Sequence, residues 1–199
     1  MKLETRLLFG PLAAGILAVG VAGLALLIPD YSHVRQTVSE IGEAGSPGRV
    51  PFAILLCCVA ACIFVFASAV RDLSRGANRS PLTAYLIGAM ALSVAGVGLF
   101  AHPHPLHNVF GISELIGYQA PLAFAVTWQR ERRAKTLVAL SWLLYFLLVL
   151  AIALNLSSLD RQSVTWSYVE PVLGLAQRVL FTAWFGWAAL AGILLSQDR

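Results

Sequence analysis

The chain has 199 residues, of which 58% are hydrophobic and only 12% are charged, and its mean hydropathy is +0.77. Soluble domains contain about 45 to 50% apolar and about 25% charged residues, so this composition excludes an ordinary soluble domain. The formal charge of +4 comes from short basic clusters between apolar runs. That pattern is typical of loops beside a membrane and argues against a nucleic-acid partner.

Six apolar stretches are long enough to cross a bilayer. A spanning helix needs about 20 residues, and only helices and closed barrels satisfy their backbone polar groups in lipid. Because none of the stretches alternates like a barrel strand, the sequence predicts an all-α polytopic bundle, with residues 1–199 as a single domain. The predicted spans are residues 7–28, 51–70, 82–100, 109–128, 137–156 and 171–195.

Each span is predicted to be one continuous helix. Transporters often contain paired broken helices in two related halves, and no such pair is evident here, which argues against a transporter. The first apolar run is longer than the roughly 7 to 15 residues of a secretory signal core. We therefore expect it to be a permanent helix.

The positions of Lys and Arg predict the orientation. With the N-terminus inside, ten of the fourteen basic residues lie in inner segments. Because positively charged loops stay in the cytoplasm, six spans in the cell's inner membrane would leave both termini cytoplasmic. The inner basic residues are Lys2, Arg6, Arg71, Arg75, Arg79, Arg130, Arg132, Arg133, Lys135 and Arg199, and the outer ones are Arg35, Arg49, Arg161 and Arg178.

The first outer loop, residues 29–42, has apolar and polar residues at helical spacing. This spacing predicts a short amphipathic helix with its polar residues on one face. Two interpretations remain open: an interfacial helix packed on the membrane edge, or a lid over an outer pocket. The apolar positions are Val34, Val38 and Ile41, and the polar ones are His33, Thr37 and Glu40.

The second outer loop contains His102, His104 and His107, three of the four histidines in the chain. Imidazole is a common zinc and copper ligand, so these residues are candidate metal ligands, with zinc as the possible cofactor. Because the two prolines of this loop stiffen it, a metal site would need partners such as Glu114. The alternative is a polar cap in which His107 and Asn108 start the fourth helix.

Glu114 and Arg178 are ionisable residues inside predicted spans, where charge is costly and usually faces the bundle interior. Each lies seven residues, or about 10 Å, below the outer end of its helix, so an ion pair is plausible. The pair would either fix helix register or form a pocket. In such a pocket Arg178 holds an anionic group, Glu114 acts as acid or base, and His33, Glu40 and His107 complete the binding site.

Three functional hypotheses follow, and no GxSxG, HExxH or phosphate-loop motif selects among them. The leading one is an outer-facing polar pocket that binds a lipid head group or a small anionic ligand. The second is a metal-assisted membrane enzyme acting on a lipid-like substrate, with Glu114 as the catalytic base. The third is an accessory subunit of a membrane complex. Membrane lipids are the expected partners, and a homo-oligomer is possible.

Two segments resemble a known family. They are Pro29-Asp30-Tyr31-Ser32-His33-Val34-Arg35-Gln36-Thr37-Val38-Ser39-Glu40-Ile41-Gly42 and His104-Pro105-Leu106-His107-Asn108-Val109-Phe110-Gly111. Together with six spans, they resemble the bacterial and archaeal membrane family catalogued as domain of unknown function 998. The resemblance implies a six-helix membrane architecture and no assigned reaction. Many members carry Phe-Pro and an acidic residue before the fourth span, where this chain has Phe100-Ala101-His102-Pro103-His104.

Overall fold

The computed structural model describes residues 1–197, which are helical with connecting turns. Six helical segments are long and apolar enough to cross a membrane, which confirms the six predicted spans and indicates a multi-pass membrane protein. Arg199, one of the predicted inner basic residues, lies outside the described residues. The six segments are Leu3–Ala25, Arg49–Gly76, Leu82–Leu99, Pro105–Trp128, Lys135–Leu159 and Val164–Gln197.

Ten α-helices and two short 3-10 turns make up these segments and their connections within residues 1–197. The helices are α1 (Leu3–Leu7), α2 (Phe9–Ala25), α3 (Val38–Ile41), α4 (Arg49–Gly76), α5 (Leu82–Leu99), α6 (Pro105–Gly117), α7 (Ala120–Trp128), α8 (Lys135–Leu156), α9 (Val164–Val169) and α10 (Leu173–Gln197), and the 3-10 turns are Ser157–Leu159 and Glu170–Val172.

The bundle has two polar ends. The histidine end consists of residues 26–48, 100–104 and 157–172, and the Ala44 amide donates a hydrogen bond to the His102 carbonyl there at 2.8 Å. The basic end consists of α1 and residues 77–81 and 129–134, and Arg79 and Glu131 form a salt bridge across it at 3.7 Å. That the basic end faces the cytoplasm stays a prediction from the distribution of charge.

The core is formed where α4 packs between α2 and α5, and where α10 packs between α2 and α8. Close packing and interhelical hydrogen bonds stabilise such helices in lipid, where apolar burial between them brings little gain. The Trp187 indole, fully enclosed, donates to the Ser141 hydroxyl at 2.8 Å, which joins α10 to α8. The opposite face of α8 exposes Leu143 and Phe146, as expected for a helix surface against lipid.

The fourth span is interrupted between Gly117 and Ala120, so the prediction of a continuous helix is wrong for this span. The cause is Pro121, which has no amide hydrogen to donate to the Gly117 carbonyl four residues earlier. The Trp184 indole on α10 donates to that carbonyl instead, at 2.9 Å. A Cβ at Gly117 would lie 2.6 Å from the Met90 Cβ, so glycine lets the interrupted span approach α5 closely. The first span has a similar break at Leu8, with Pro11 four residues after Leu7, so its predicted continuity is wrong as well. With two spans interrupted, the argument against a transporter from unbroken helices no longer holds.

The interruption sends the two halves of the fourth span to different neighbours. The α6 half packs on α5, whereas the α7 half packs on both α5 and α8. Because α6 stands away from α8 and α10, a cleft opens beside it at the histidine end.

Candidate functional site

The cleft beside α6 has a volume of about 460 Å³ and is bounded by α6, the last turns of α8 and the first turns of α10. Ligand pockets in proteins measure about 300 to 1,000 Å³, so the cleft is large enough for a small ligand or a lipid head group. We call it the Glu114 cleft. Among its polar lining residues are His102, His107, Glu114, Tyr118, Asn155 and Arg161.

Glu114 and Tyr118 form the buried polar centre of this cleft. The Tyr118 hydroxyl donates a 2.7 Å hydrogen bond to Glu114 Oε2, and both side chains line the cleft. Their spacing of four residues places them on one face of the span. Within residues 1–197 Glu114 Oε1 has no hydrogen-bond partner, so it has an acceptor site to offer a ligand.

The histidine loop contributes His102 and His107 to the cleft. His107 is buried, and its Nδ1 lies 2.8 Å from the Phe100 carbonyl oxygen. The helix cap is formed by His104, whose Nδ1 accepts from the Leu106 amide, and Pro105 follows as the first helical residue. The expected cap at His107 and Asn108 is therefore displaced by one turn, because proline is well suited to the first position of a helix.

The three predicted metal ligands, His102, His104 and His107, are not gathered around one point. The His102 and His107 rings lie edge to face with centroids 5.8 Å apart, whereas His104 stacks on Phe100. In residues 1–197, no three His, Cys, Asp or Glu side chains come together in a way that holds a metal ion.

The expected ion pair between Glu114 and Arg178 is wrong. Adjacent residues on a helix point about 100° apart, and Gln177 is the one that faces the Glu114 cleft. Arg178 faces a separate groove of about 240 Å³ between α2 and α10. Equal depth in the membrane did not bring the two charges together because they point to different sides of α10.

Arg178 instead holds the first loop against α10. Its Nη1 donates to the carbonyl oxygens of His33, Gln36 and Gly174 at 2.8 to 2.9 Å, and its Nη2 donates to the Tyr31 hydroxyl at 2.8 Å. The Tyr31 hydroxyl then donates to the Thr37 carbonyl at 2.7 Å. Burial raises the pKa of the Tyr31 hydroxyl while the nearby Arg178 opposes this rise, so the phenol stays a donor at neutral pH.

The predicted amphipathic helix of the first loop is wrong over most of its length, since α3 covers only Val38–Ile41. The reason is a capping box: Glu40 Oε1 accepts from both the amide and the hydroxyl of Thr37 at 2.9 Å, which starts the helix at Val38. Glu40 therefore caps the helix to which it belongs, and the His33 ring lies against the Tyr31 ring. Neither side chain lines the Glu114 cleft.

We expect Gly174→Ala to loosen the first loop from α10. A Cβ at this position would overlap the Gln36 and His33 carbonyl oxygens, so the loop must shift, at a cost of about 1 to 3 kcal/mol. Thermal unfolding in detergent measures the loss. Gly186→Ala on the same helix is the matched control, because a Cβ there meets nothing within 4 Å. Equal unfolding temperatures for the two variants would contradict the prediction.

Sequence reasoning missed three cleft residues. Tyr118 follows Glu114 by four residues, which is a signal the sequence offered. Asn155 and Arg161 lie near the end of α8 and in the loop after it, and both line the cleft. Arg161 is thus an arginine that lines the cleft, as Arg178 was predicted to do.

A family model described as a protein of unknown function (DUF998) matches residues 11–194. The chain belongs to the DUF998 family. No curated protein matches this DUF998 chain, and no solved structure matches it. Both segments that suggested the family contribute to the Glu114 cleft in this DUF998 protein, through Thr37 and Ser39 of the first and His107, Asn108 and Gly111 of the second.

Proposed function

We propose that this DUF998 protein binds the head group of a lipid, or a small anionic ligand of similar chemistry, in the Glu114 cleft. The observation that carries the proposal is a carboxylate within a membrane span that lines a cleft of about 460 Å³ and is only partly satisfied by protein. An ionisable group at this depth is expensive to keep, and such residues commonly mark a ligand or ion pathway.

The rim of the cleft supports an amphiphilic ligand. Ile112 on α6 and Leu156 at the end of α8 line the cleft and are 58% and 41% exposed. Leu159, in the turn after α8, is 75% exposed. Because these side chains face the surface that lipid covers, an acyl chain lies along them while its head group enters the cleft.

The polar residues of the Glu114 cleft offer two kinds of contact to a ligand. Arg161 offers a guanidinium to an anionic group, and its Cζ lies 5.7 Å from the centre of the Trp166 ring, which orients it. Glu114 Oε1 and the Asn155 side chain accept hydrogen bonds from a hydroxyl or amine. A head group that combines a phosphate with hydroxyl or amino groups matches both.

The metal-assisted enzyme gains less support from the geometry. It needs about three ligands and an open position for water, whereas two of the three loop histidines use a ring nitrogen on the protein backbone. Glu114 as a catalytic base and the accessory-subunit role stay predictions. Residence in the inner membrane is part of the proposal.

Glu114→Gln together with Arg161→Gln is expected to reduce the lipid that co-purifies in the cleft by about tenfold, since the first replaces the carboxyl group with an amide and the second removes the guanidinium that meets the anionic group. Native mass spectrometry of the detergent-purified chain, before and after adding phosphatidylglycerol, measures retention. Glu170→Gln together with Arg35→Gln is the matched control, because it removes one acid and one base at the same end but outside the cleft.

Unchanged retention in a folded Glu114→Gln, Arg161→Gln protein would overturn the proposal. Competition by inorganic phosphate distinguishes the two sources of the anionic group. If phosphate displaces the bound molecule completely, the cleft recognises a small anion; if it does not, the acyl chain contributes to binding.

A further inference from the structure

A second cavity, separate from the Glu114 cleft, lies at the basic end. It has a volume of about 580 Å³ and lies between the ends of α4, α7 and α10 and the loop of residues 129–134. It shares no lining residue with the Glu114 cleft. We call it the Trp128 cavity.

The walls of the Trp128 cavity are mainly apolar. Leu73 and Ala77 lie at the end of the second span, and Leu195 lies near the end of the sixth span. Trp128 is the last residue of the fourth span. Trp128 is 4% exposed, and within residues 1–197 its indole Nε1 has no hydrogen-bond partner. Buried indole N–H groups usually have an acceptor.

The mouth of the cavity carries more positive than negative charge. Glu131 and Arg133 both line it, and Glu131 is held by Arg79 at 3.7 Å. Within the described chain Arg133 makes no salt bridge and no side-chain hydrogen bond. Two further basic residues, Arg130 and Arg132, lie in the same loop, and Lys135 follows it.

We propose that the Trp128 cavity binds the head group of an anionic phospholipid. The phosphodiester lies on the guanidinium of Arg133, and the acyl chains lie against the cavity-lining side chains of Leu73 and Leu195. Basic pockets between membrane helices suit such head groups, because fixed positive charge and an apolar wall meet at the level of the lipid phosphate. A zwitterionic lipid carries no net charge, so it would not neutralise the positive charge at the mouth of the Trp128 cavity.

The test compares two substitutions in one loop. Arg133→Gln is expected to weaken retention of phosphatidylglycerol about fivefold in native mass spectrometry of the purified full-length chain, which is the effect of one basic residue at a lipid surface. Arg132→Gln removes the same charge but does not line the cavity, so it should retain phosphatidylglycerol nearly as wild type does. Ala77→Phe fills the cavity without changing charge and should also reduce retention.

Equal loss in Arg133→Gln and Arg132→Gln would overturn the proposal, because it would show attraction to the basic surface alone. Undiminished retention in Ala77→Phe would do the same. Displacement of the lipid by inorganic phosphate would replace the lipid site with a site for a soluble phosphate. None of the three substituted residues lines the Glu114 cleft, so failure of this test leaves the proposed function standing, and failure of the test at the Glu114 cleft leaves this site standing.

Discussion

Replacing Arg178 with alanine is expected to detach the first loop from α10 and to lower the free energy of unfolding by about 3 kcal/mol. Four acceptors lose the guanidinium as a donor at once: three backbone carbonyl oxygens and the Tyr31 hydroxyl. Charged hydrogen bonds contribute roughly 1.5 to 3 kcal/mol each, but the side chain is half-buried and water replaces part of what is lost. Unfolding in detergent measures the loss.

Limited trypsin digestion gives a local measurement of the same change, because Arg35 lies inside the loop. Cleavage after Arg35 should be much faster in Arg178→Ala than in wild type. Arg161→Ala is the control, since it removes an arginine at the same end that does not contact this loop. An Arg178→Ala protein with wild-type stability and an uncleaved loop would refute the anchoring role.

Trp184→Phe should destabilise the bundle by about 2 kcal/mol, because the buried Gly117 carbonyl would lose its donor inside a membrane span. Pro121→Ala supplies a backbone N–H that can reach the same carbonyl. We therefore expect the Trp184→Phe loss to be clearly smaller in the Pro121→Ala background. The four proteins form a double-mutant cycle, measured by unfolding in detergent.

Trp187→Phe tests whether the coupling is specific. Its indole donates to Ser141 rather than to the interrupted span, so its effect should be the same in the wild-type and Pro121→Ala backgrounds. If Trp184→Phe lowers the free energy of unfolding equally in both backgrounds, the Gly117 carbonyl does not depend on the indole.

A straightened fourth span should also narrow the Glu114 cleft. Pro121→Ala alone should then reduce lipid retention.

The six spans were predictable because lipid imposes a strict requirement on length and apolar composition. All six were found, although the second extends to Gly76 instead of residue 70 and the sixth begins at Val164 instead of residue 171. The burial of Glu114 was predictable for a related reason, since charge inside a span avoids lipid. Breaks within spans were harder to predict. Pro121 was visible in the sequence, but a proline interrupts a membrane helix only where a neighbour such as Trp184 satisfies the freed carbonyl.

The partners of Arg178 and Glu114 were not predictable from depth along their helices. Rotation about the axis decides which side chain faces which neighbour, and the sequence of α10 does not fix that rotation. The first loop shows the same problem at shorter range. Its valines have helical spacing, yet the Thr37 and Glu40 capping interaction and the carbonyl contacts of Arg178 hold residues 33–36 in a turn and bend.

The anchoring of the first loop also has a consequence for biogenesis. Arg178 and the Gln36 carbonyl are separated by 142 positions in the chain, and Gln177 accepts from the Val38 amide over 139 positions. During synthesis the loop therefore emerges long before its partners and stays undocked until the sixth span has entered the bilayer. Insertion of the sixth span thus completes the contacts of the first loop, and a nascent chain arrested after its fifth span should expose Arg35 to protease.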